Sequence, residues 1–167
     1  MYMVEGVSSN DVLASPELHE AAVYELARLI KERKISILSG AGISTESGIP
    51  DYRGPERRLK RGNPIQYRDF VENESARRRY WARSAIGFRN VLRAEPNKGH
   101  KALFRLEKLG HTTGIITQNV DGLHQAAGSE SVLELHGSLG EIVCLECGAV
   151  GSRERFQKIL LELNPEW

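Results

Sequence analysis

Four strings in this chain carry side chains whose type and spacing could do chemistry: GAGISTESG (residues 40–48), TQNVDGLH (117–124), His136 within ELHGS, and CLECG (144–148). The first follows the apolar segment ISILS. A strand running through Gly40 and Gly42 into a helix start offers bare backbone N–H groups and a helix N-terminus where a pyrophosphate can sit. Thr45 replaces the third glycine of the dinucleotide fingerprint, and no acidic residue clearly closes a second strand about 20 residues on. A tight turn that binds nothing would read the same way. In the second string Gln118, Asn119 and Asp121 suit hydroxyls and a carboxamide better than phosphate, although Asn and Asp also cap turns.

His136 stands just past the apolar segment VLEL, and an imidazole titrates near neutral pH, which suits general-base work. A lone histidine in such a place is as readily a packed side chain. His19, His100, His111 and His124 have no comparable context, and His124 reads as a packed or helix-capping residue. Cys144 and Cys147, the two cysteines of the chain, are spaced C-x-x-C before Gly148, more like a zinc knuckle than a redox dithiol. A structural zinc takes about four ligands, so two would have to come from elsewhere. Two cysteines also argue against a secreted disulfide framework.

The elements that must hold these strings are legible in outline. Ser15 as cap, Pro16 at the first helical position, and Leu18, Ala22, Leu26, Leu29 and Ile30 on one face predict a helix to about Lys34. ISILSG, GIITQ and VLELHG read as buried strands, each with a candidate site at its carboxyl end. Asn97 opens an amphipathic helix bearing Leu103, Leu106 and Leu109 and closed by Gly110. DGLHQAAG reads as a short helix, LGEIVCLEC as a strand entering the knuckle, and RERFQKILLEL as a last helix. Alternating strands and helices predict an α/β fold, a Rossmann-like parallel sheet whose carboxyl ends face one crevice. Such sheets usually have five or six strands, so the architecture looks incomplete.

Composition bounds the function classes. At 167 residues, 40% apolar and 27% charged, the chain has the makeup of a soluble globular protein. No window nears the roughly 18 apolar residues of a membrane span. The N-terminal residues lack a presequence pattern, and a cytoplasmic protein is the expectation, mitochondrial if eukaryotic. A net charge of +1 hides a local excess: Arg57 to Arg93 holds eleven Lys or Arg against three Asp or Glu, and the remainder twelve against nineteen. This stretch reads as a loop and one or two inserted helices with a solvated basic face. It lacks a nucleic-acid motif, so no specific nucleic-acid partner is expected.

Taken in order, GAGISTESGIPDYRG, PNKGHKAL, TQNVDGLH, LELHGS and C-x-x-C-G resemble the sirtuin family of NAD-dependent protein deacylases, over about residues 20 to 167. RRYWAR and LNPEW look most like its bacterial and mitochondrial class II branch. The resemblance implies that Gly40, Ala41 and Gly42 cradle the dinucleotide phosphates, that Thr45 also belongs to the cofactor site, and that Asp51, Tyr52 and Arg53 lie in the cofactor loop. Tyr52 stands where many members have Phe, and its ring would shield the reacting ribose from water. Gln118 and Asn119 would bind the ribose and order the site, Val120 and Asp121 would hold the nicotinamide carboxamide, and His136 would be the general base. NAD would be consumed: the acyl-lysine carbonyl attacks the ribose C1′, nicotinamide leaves, and free lysine and O-acyl-ADP-ribose are released. Acyl-lysine proteins would be the substrates.

Cys144 and Cys147 would supply two of four ligands of a structural Zn. Tyr80 and Arg83, spaced Tyr-x-x-Arg, resemble the pair with which some members read acidic acyl groups. The implied organisation is a partial NAD-binding domain (17–54 and 97–137), a basic cofactor loop and helical insertion (55–96), and the start of a zinc-ribbon small domain (138–167). Motifs that follow in the family, a second Cys pair among them, do not occur in these residues. The expectation is an N-terminal portion that by itself binds NAD poorly and turns over little. A non-catalytic sirtuin-like binding module and an NAD-dependent oxidoreductase are the competing readings.

Overall fold

The computed structural model describes residues 16–51 and 65–166. In chain order the elements are α1 (Pro16–Glu32), β1 (Ile35–Ser39), a 3-10 segment (Ala41–Ser47), α2 (Tyr67–Glu72), α3 (Glu74–Arg93), α4 (Lys98–Lys108), β2 (Thr112–Thr117), α5 (Leu123–Ala126), β3 (Val132–Glu134), β4 (Glu141–Val143), β5 (Val150–Ser152) and α6 (Arg153–Glu162). Among the described residues β1, β2 and β3 form one parallel sheet in that order, and β4 and β5 an antiparallel pair. Ser39 pairs with Thr117 and Thr117 with Glu134. All three strands therefore end level, and the segments after them gather at one edge of the sheet. The expected fold class is what forms.

The middle of the fold is polar. The fully buried apolar residues among those described are Ala76, Ala85, Phe88, Ile115 and Leu123, while Ser39, Ser44, His100, Thr117, Asn119 and His124 are as deeply buried. Groups of this kind are tolerated inside only when hydrogen-bonded, so the carboxyl edge of the sheet is fixed by directional bonds more than by apolar contact.

Several expectations need correction. The Gly-rich turn leads not into an α-helix but into the 3-10 segment, closed by Gly48 at φ 81°. Local side-chain bonds take over the backbone there: the Thr45 hydroxyl donates to the Gly42 carbonyl at 2.9 Å, and Asn97 Nδ2 donates to the Ile43 carbonyl at 2.6 Å and to Ser47 Oγ at 3.0 Å. The strands are not buried on both faces, since Leu38, Leu133 and Leu135 are 68%, 58% and 51% exposed. Val23, Leu26 and Leu29 on α1 and Leu109 after α4 are also exposed, so much of the apolar stripe of α1 has no cover among the described residues, although Ile30 is half-buried. β5 was not foreseen, because VGS carries no apolar alternation. The Ser15 cap lies outside the described residues.

The other helix ends behave as the sequence implies. Asn97 caps α4 through Oδ1, which accepts from the backbone N–H groups of Gly99 (2.8 Å) and His100 (3.3 Å), and its own N–H donates to His100 Nδ1 (3.4 Å) in a reciprocal capping box. One side chain thus starts α4 and holds the 3-10 segment beside it. Asn97→Ala loses both functions, and a destabilisation of about 2 kcal/mol is expected, the upper end for a lost cap. Thermal unfolding followed by circular dichroism checks it, with the midpoint falling by roughly 4–8 °C for a chain of this size.

Candidate functional site

β1 and β2 deliver the 3-10 segment and residues 118–121 to one cleft of about 790 Å³, lined in part by Ala41, Gly42, Asp51, Gln118, Asn119, Val120, Asp121 and His136. These are eight of the residues singled out in the sequence. Gly40 and Thr45 do not line it, and Tyr52 and Arg53 lie outside the described residues. Ile49, Pro50, Val91 and Leu139 supply apolar wall that the motifs had not marked.

A chain of hydrogen bonds orients the polar groups, and its donor order can be deduced. Ser44 Oγ donates to Asp121 Oδ2 at 2.7 Å and accepts from Asn119 Nδ2 at 3.0 Å. The single hydroxyl proton is given to the carboxylate, so the Asn119 amide nitrogen must face Ser44 and Oδ1 remains an acceptor. Asp121 Oδ1 accepts the Leu123 N–H at 3.0 Å, which starts α5, and the Asn119 N–H donates to Thr117 Oγ1 at 3.1 Å. Ser44 is wholly buried and Asn119 is 8% exposed. Ser44 was missed in the sequence; its signal is a serine directly behind the Gly-x-Gly turn, which only the fold brings against Asp121.

His136 is exposed, and its Nδ1 lies 2.9 Å from the Gln118 carbonyl oxygen. A carbonyl only accepts, so Nδ1 carries a proton, and in the neutral ring Nε2 keeps its lone pair, the arrangement a general base requires. The peptide that bears Asn119 therefore also aims His136. Gly40 and Gly42 have no heavy atom within 4 Å of where a Cβ would stand, so a ligand can approach that backbone closely. This cleft offers an amide, a carboxylate, an imidazole and bare backbone, a set of groups that fits hydroxyls, a carboxamide and phosphate together.

The Sir2 family model matches residues 40–165. The chain belongs to the Sir2 family. It is 54% identical over 139 residues to NAD-dependent protein deacetylase 1 of Streptomyces coelicolor, covering 83% of this chain and 46% of that protein. It is 42% identical over 153 residues to NAD-dependent protein deacylase SIR4 of Monosiga brevicollis, covering 92% of this chain and 49% of the relative. A solved Sir2–p53 peptide–NAD+ complex is similar at a TM-score of 0.69 and 38% identity, over 81% of this chain and 55% of that one. The sirtuin chain spans about half the length of the curated relatives it matches.

The other sequence candidates of this sirtuin lie outside the cleft. Cys144 and Cys147 are exposed at the tip of the β4–β5 hairpin. The turn is set by the Cys144 N–H on the Ala149 carbonyl (2.9 Å) and the Gly148 N–H on the Cys144 carbonyl (3.0 Å), with Gly148 at φ 69°. The backbone N–H of Cys147, then that of Glu146, then the Cys147 thiol bond to Cys144 sulfur and lower its pKa. A turn that favours thiolate suits a thiophilic metal. Among the described residues no group of three or more His, Cys, Asp or Glu stands ready to hold one, so these residues fit half of a tetrahedral zinc set.

Tyr80 packs edge-on against Phe70 (4.9 Å between centroids) and Trp81 (5.4 Å), Arg83 is exposed, and neither lines the cleft. From α3 only Val91 reaches it. The described arginines of the basic stretch behave as a solvated face: Arg68 and Arg78 form exposed pairs with Glu72 and Glu74 one turn away. Arg77 is the exception, half-buried and donating to the Phe70 and Val71 carbonyls at 3.1 and 2.7 Å; outside that stretch, Arg153 of α6 is buried over the rings of Phe88 and Trp81 at 4.2 and 5.4 Å and ties α6 to α3.

Proposed function

We propose that this chain carries the nicotinamide-side half of an NAD-consuming protein-lysine deacylase site. The observation that supports it most is the Asn119–Ser44–Asp121 relay facing the same cleft as His136 Nε2 and the open backbone of Gly42. NAD supplies an activated ribose C1′ and a leaving nicotinamide. Asp121 and the backbone at Val120 would bind the carboxamide. Asn119 Oδ1, left free to accept, would hold a ribose hydroxyl. His136 Nε2 would take a proton from a ribose hydroxyl while its Nδ1–H stays on the Gln118 carbonyl. Orientation of this kind can account for roughly 7–11 kcal/mol of a barrier. The named activities of the relatives, deacetylase and deacylase, and the peptide and NAD in the solved complex support acyl-lysine proteins as substrates.

Cys144 and Cys147 would give two thiolates to a structural zinc. Arg83, exposed and away from the cleft, offers nothing in favour of an acidic acyl chain. The reading is tested by incubating concentrated chain with NAD and an acetyl-lysine peptide. Slow nicotinamide release that requires the peptide and is lost in His136→Ala is expected, with no absorbance from NADH. NADH formation without nicotinamide release would instead establish an oxidoreductase.

A further inference from the structure

Two buried imidazoles behind the cleft have no part in the chemistry above. His100 on α4 is 0% exposed and His124 on α5 is 1% exposed, and their rings meet edge to face with centroids 5.0 Å apart at 61°. Their proton positions follow from their partners. His100 Nδ1 accepts the Asn97 N–H, so in the neutral ring the proton is on Nε2. Ser39 Oγ donates to Thr117 Oγ1 at 2.9 Å, which uses its only proton, so at 2.8 Å it must accept from His124 Nε2–H. The two ring atoms without a protein partner are then His100 Nε2, a donor, and His124 Nδ1, an acceptor.

We propose that His100 and His124 form a neutral imidazole dyad, packed ring against ring, that positions Asn119 through Ser39 and Thr117 and releases it on acidification. His124 holds Ser39, Ser39 holds Thr117, and Thr117 Oγ1 accepts the N–H of Asn119. His100 ties the same ring pair to Asn97 and so to the 3-10 segment that carries Ser44. Both sides of the Asn119–Ser44 bond thus trace back to one dyad. A second proton on His124 would place a charge in a dry site, against a second buried ring and with no partner waiting at Nδ1. Among the described residues the charged group facing the pair is Asp121, from the β2–α5 segment; β1 and β2 present the Ser39 and Thr117 hydroxyls, and α4 presents His100. Burial lowers both histidines, the neighbouring ring lowers His124 further, and Asp121 opposes. A protonated His124 would compete for Asp121 with the Ser44 hydroxyl that Asn119 depends on.

The sign of the pH effect follows. Free imidazoles titrate near pH 6.5, so below that the unfolded chain takes up protons that the folded dyad refuses. Stability is complete above about pH 6.5 and falls on acidification, the folded-to-unfolded ratio dropping by up to tenfold per pH unit for each histidine. The role as positioning residues rests on the deacylase reading; the dyad itself does not. Long-range ¹H–¹⁵N spectra of the chain, titrated from pH 8 to 5, test it. Expected are Nε2–H tautomers for both rings, midpoints below free histidine, and Asn119 side-chain amide signals that move with the His124 midpoint. In His124→Gln, which can still donate to Ser39 but cannot gain charge, that pH-linked movement should vanish, as should the acid loss of NAD affinity. An Nδ1–H tautomer on His124, titration like free histidine, or Asn119 signals indifferent to pH would overturn the dyad, and wild-type spectra decide this even if the variant does not fold. No NAD binding at any pH, with the tautomers as stated, would remove the positioning role and the deacylase reading while leaving the dyad.

Discussion

Replacing Asn119 by alanine is expected to weaken NAD binding at least tenfold while costing the fold little. The side chain donates one hydrogen bond, to Ser44 Oγ, whose own proton stays on Asp121, so the stability loss should be about 1 kcal/mol. The loss to the ligand is larger, because a buried, pre-positioned amide contributes more than the same group in water. Asn119→Asp sharpens the comparison: it removes the donor to Ser44 and sets a second carboxylate against Asp121 across one hydroxyl, so it should bind NAD more weakly than the alanine variant. Calorimetric or fluorescence titration of the three proteins, with unfolding midpoints measured in parallel, separates binding from folding. Equal NAD affinity in all three would remove Asn119 from the site.

The largest effect on the fold is expected from Gly114→Ala. Gly114 has φ 142°, and a Cβ there would stand 2.6 Å from Ser131 Oγ and 3.1 Å from the Ser131 carbonyl oxygen. That carbonyl accepts the Ile115 N–H at 2.8 Å, the bond that leads into the β2–β3 pairing. The side chain of Ser131 can turn away, but the backbone cannot without loosening β3. Strain at such a dihedral costs roughly 1–3 kcal/mol, and overpacking adds about 1–3 more. Against a total stability of about 5–15 kcal/mol for an ordinary domain, that is a large fraction of what keeps the protein folded. Gly87, inside α3 with nothing within 4 Å of its Cβ position, is the control: Gly87→Ala should stabilise by about 1 kcal/mol. Urea unfolding of the two variants would contradict this if both midpoints moved the same way.

Which parts of this were readable in the sequence follows from what each signal encodes. Short apolar runs ending in polar strings placed β1, β2 and β3 and put Gln118, Asn119, Asp121 and His136 at strand ends, because a parallel sheet sets all its carboxyl ends on one side. The Asn97 cap was legible because capping is local. Ser44, Ser39 and His100 were not, and His124 was legible as a packed side chain but not for its partner, since these partners lie about 75 to 85 residues away or in another element, and nothing in a serine or a histidine alone says which hydroxyl it will meet. Exposure of Leu38 and Leu133 was misread for a related reason: an apolar run reports a residue's preference, not whether a neighbouring element is there to cover it. The helix start at the Gly-rich turn failed because Ser44, Thr45 and Asn97 offer side-chain bonds that compete with the α-helical ladder.

An NAD titration of the chain followed residue by residue in ¹H–¹⁵N spectra tests most directly whether this cleft is the nicotinamide side of a deacylase site. Shifts are expected at Gly42, Gln118, Asn119, Asp121 and His136, weak in affinity, reproduced at Asn119 and Asp121 by nicotinamide alone, and lost in Asn119→Ala. Shifts confined to the groove at the other end of the strands, around Ser36, Thr113 and Leu133, or none at Asn119 and Asp121, would contradict it.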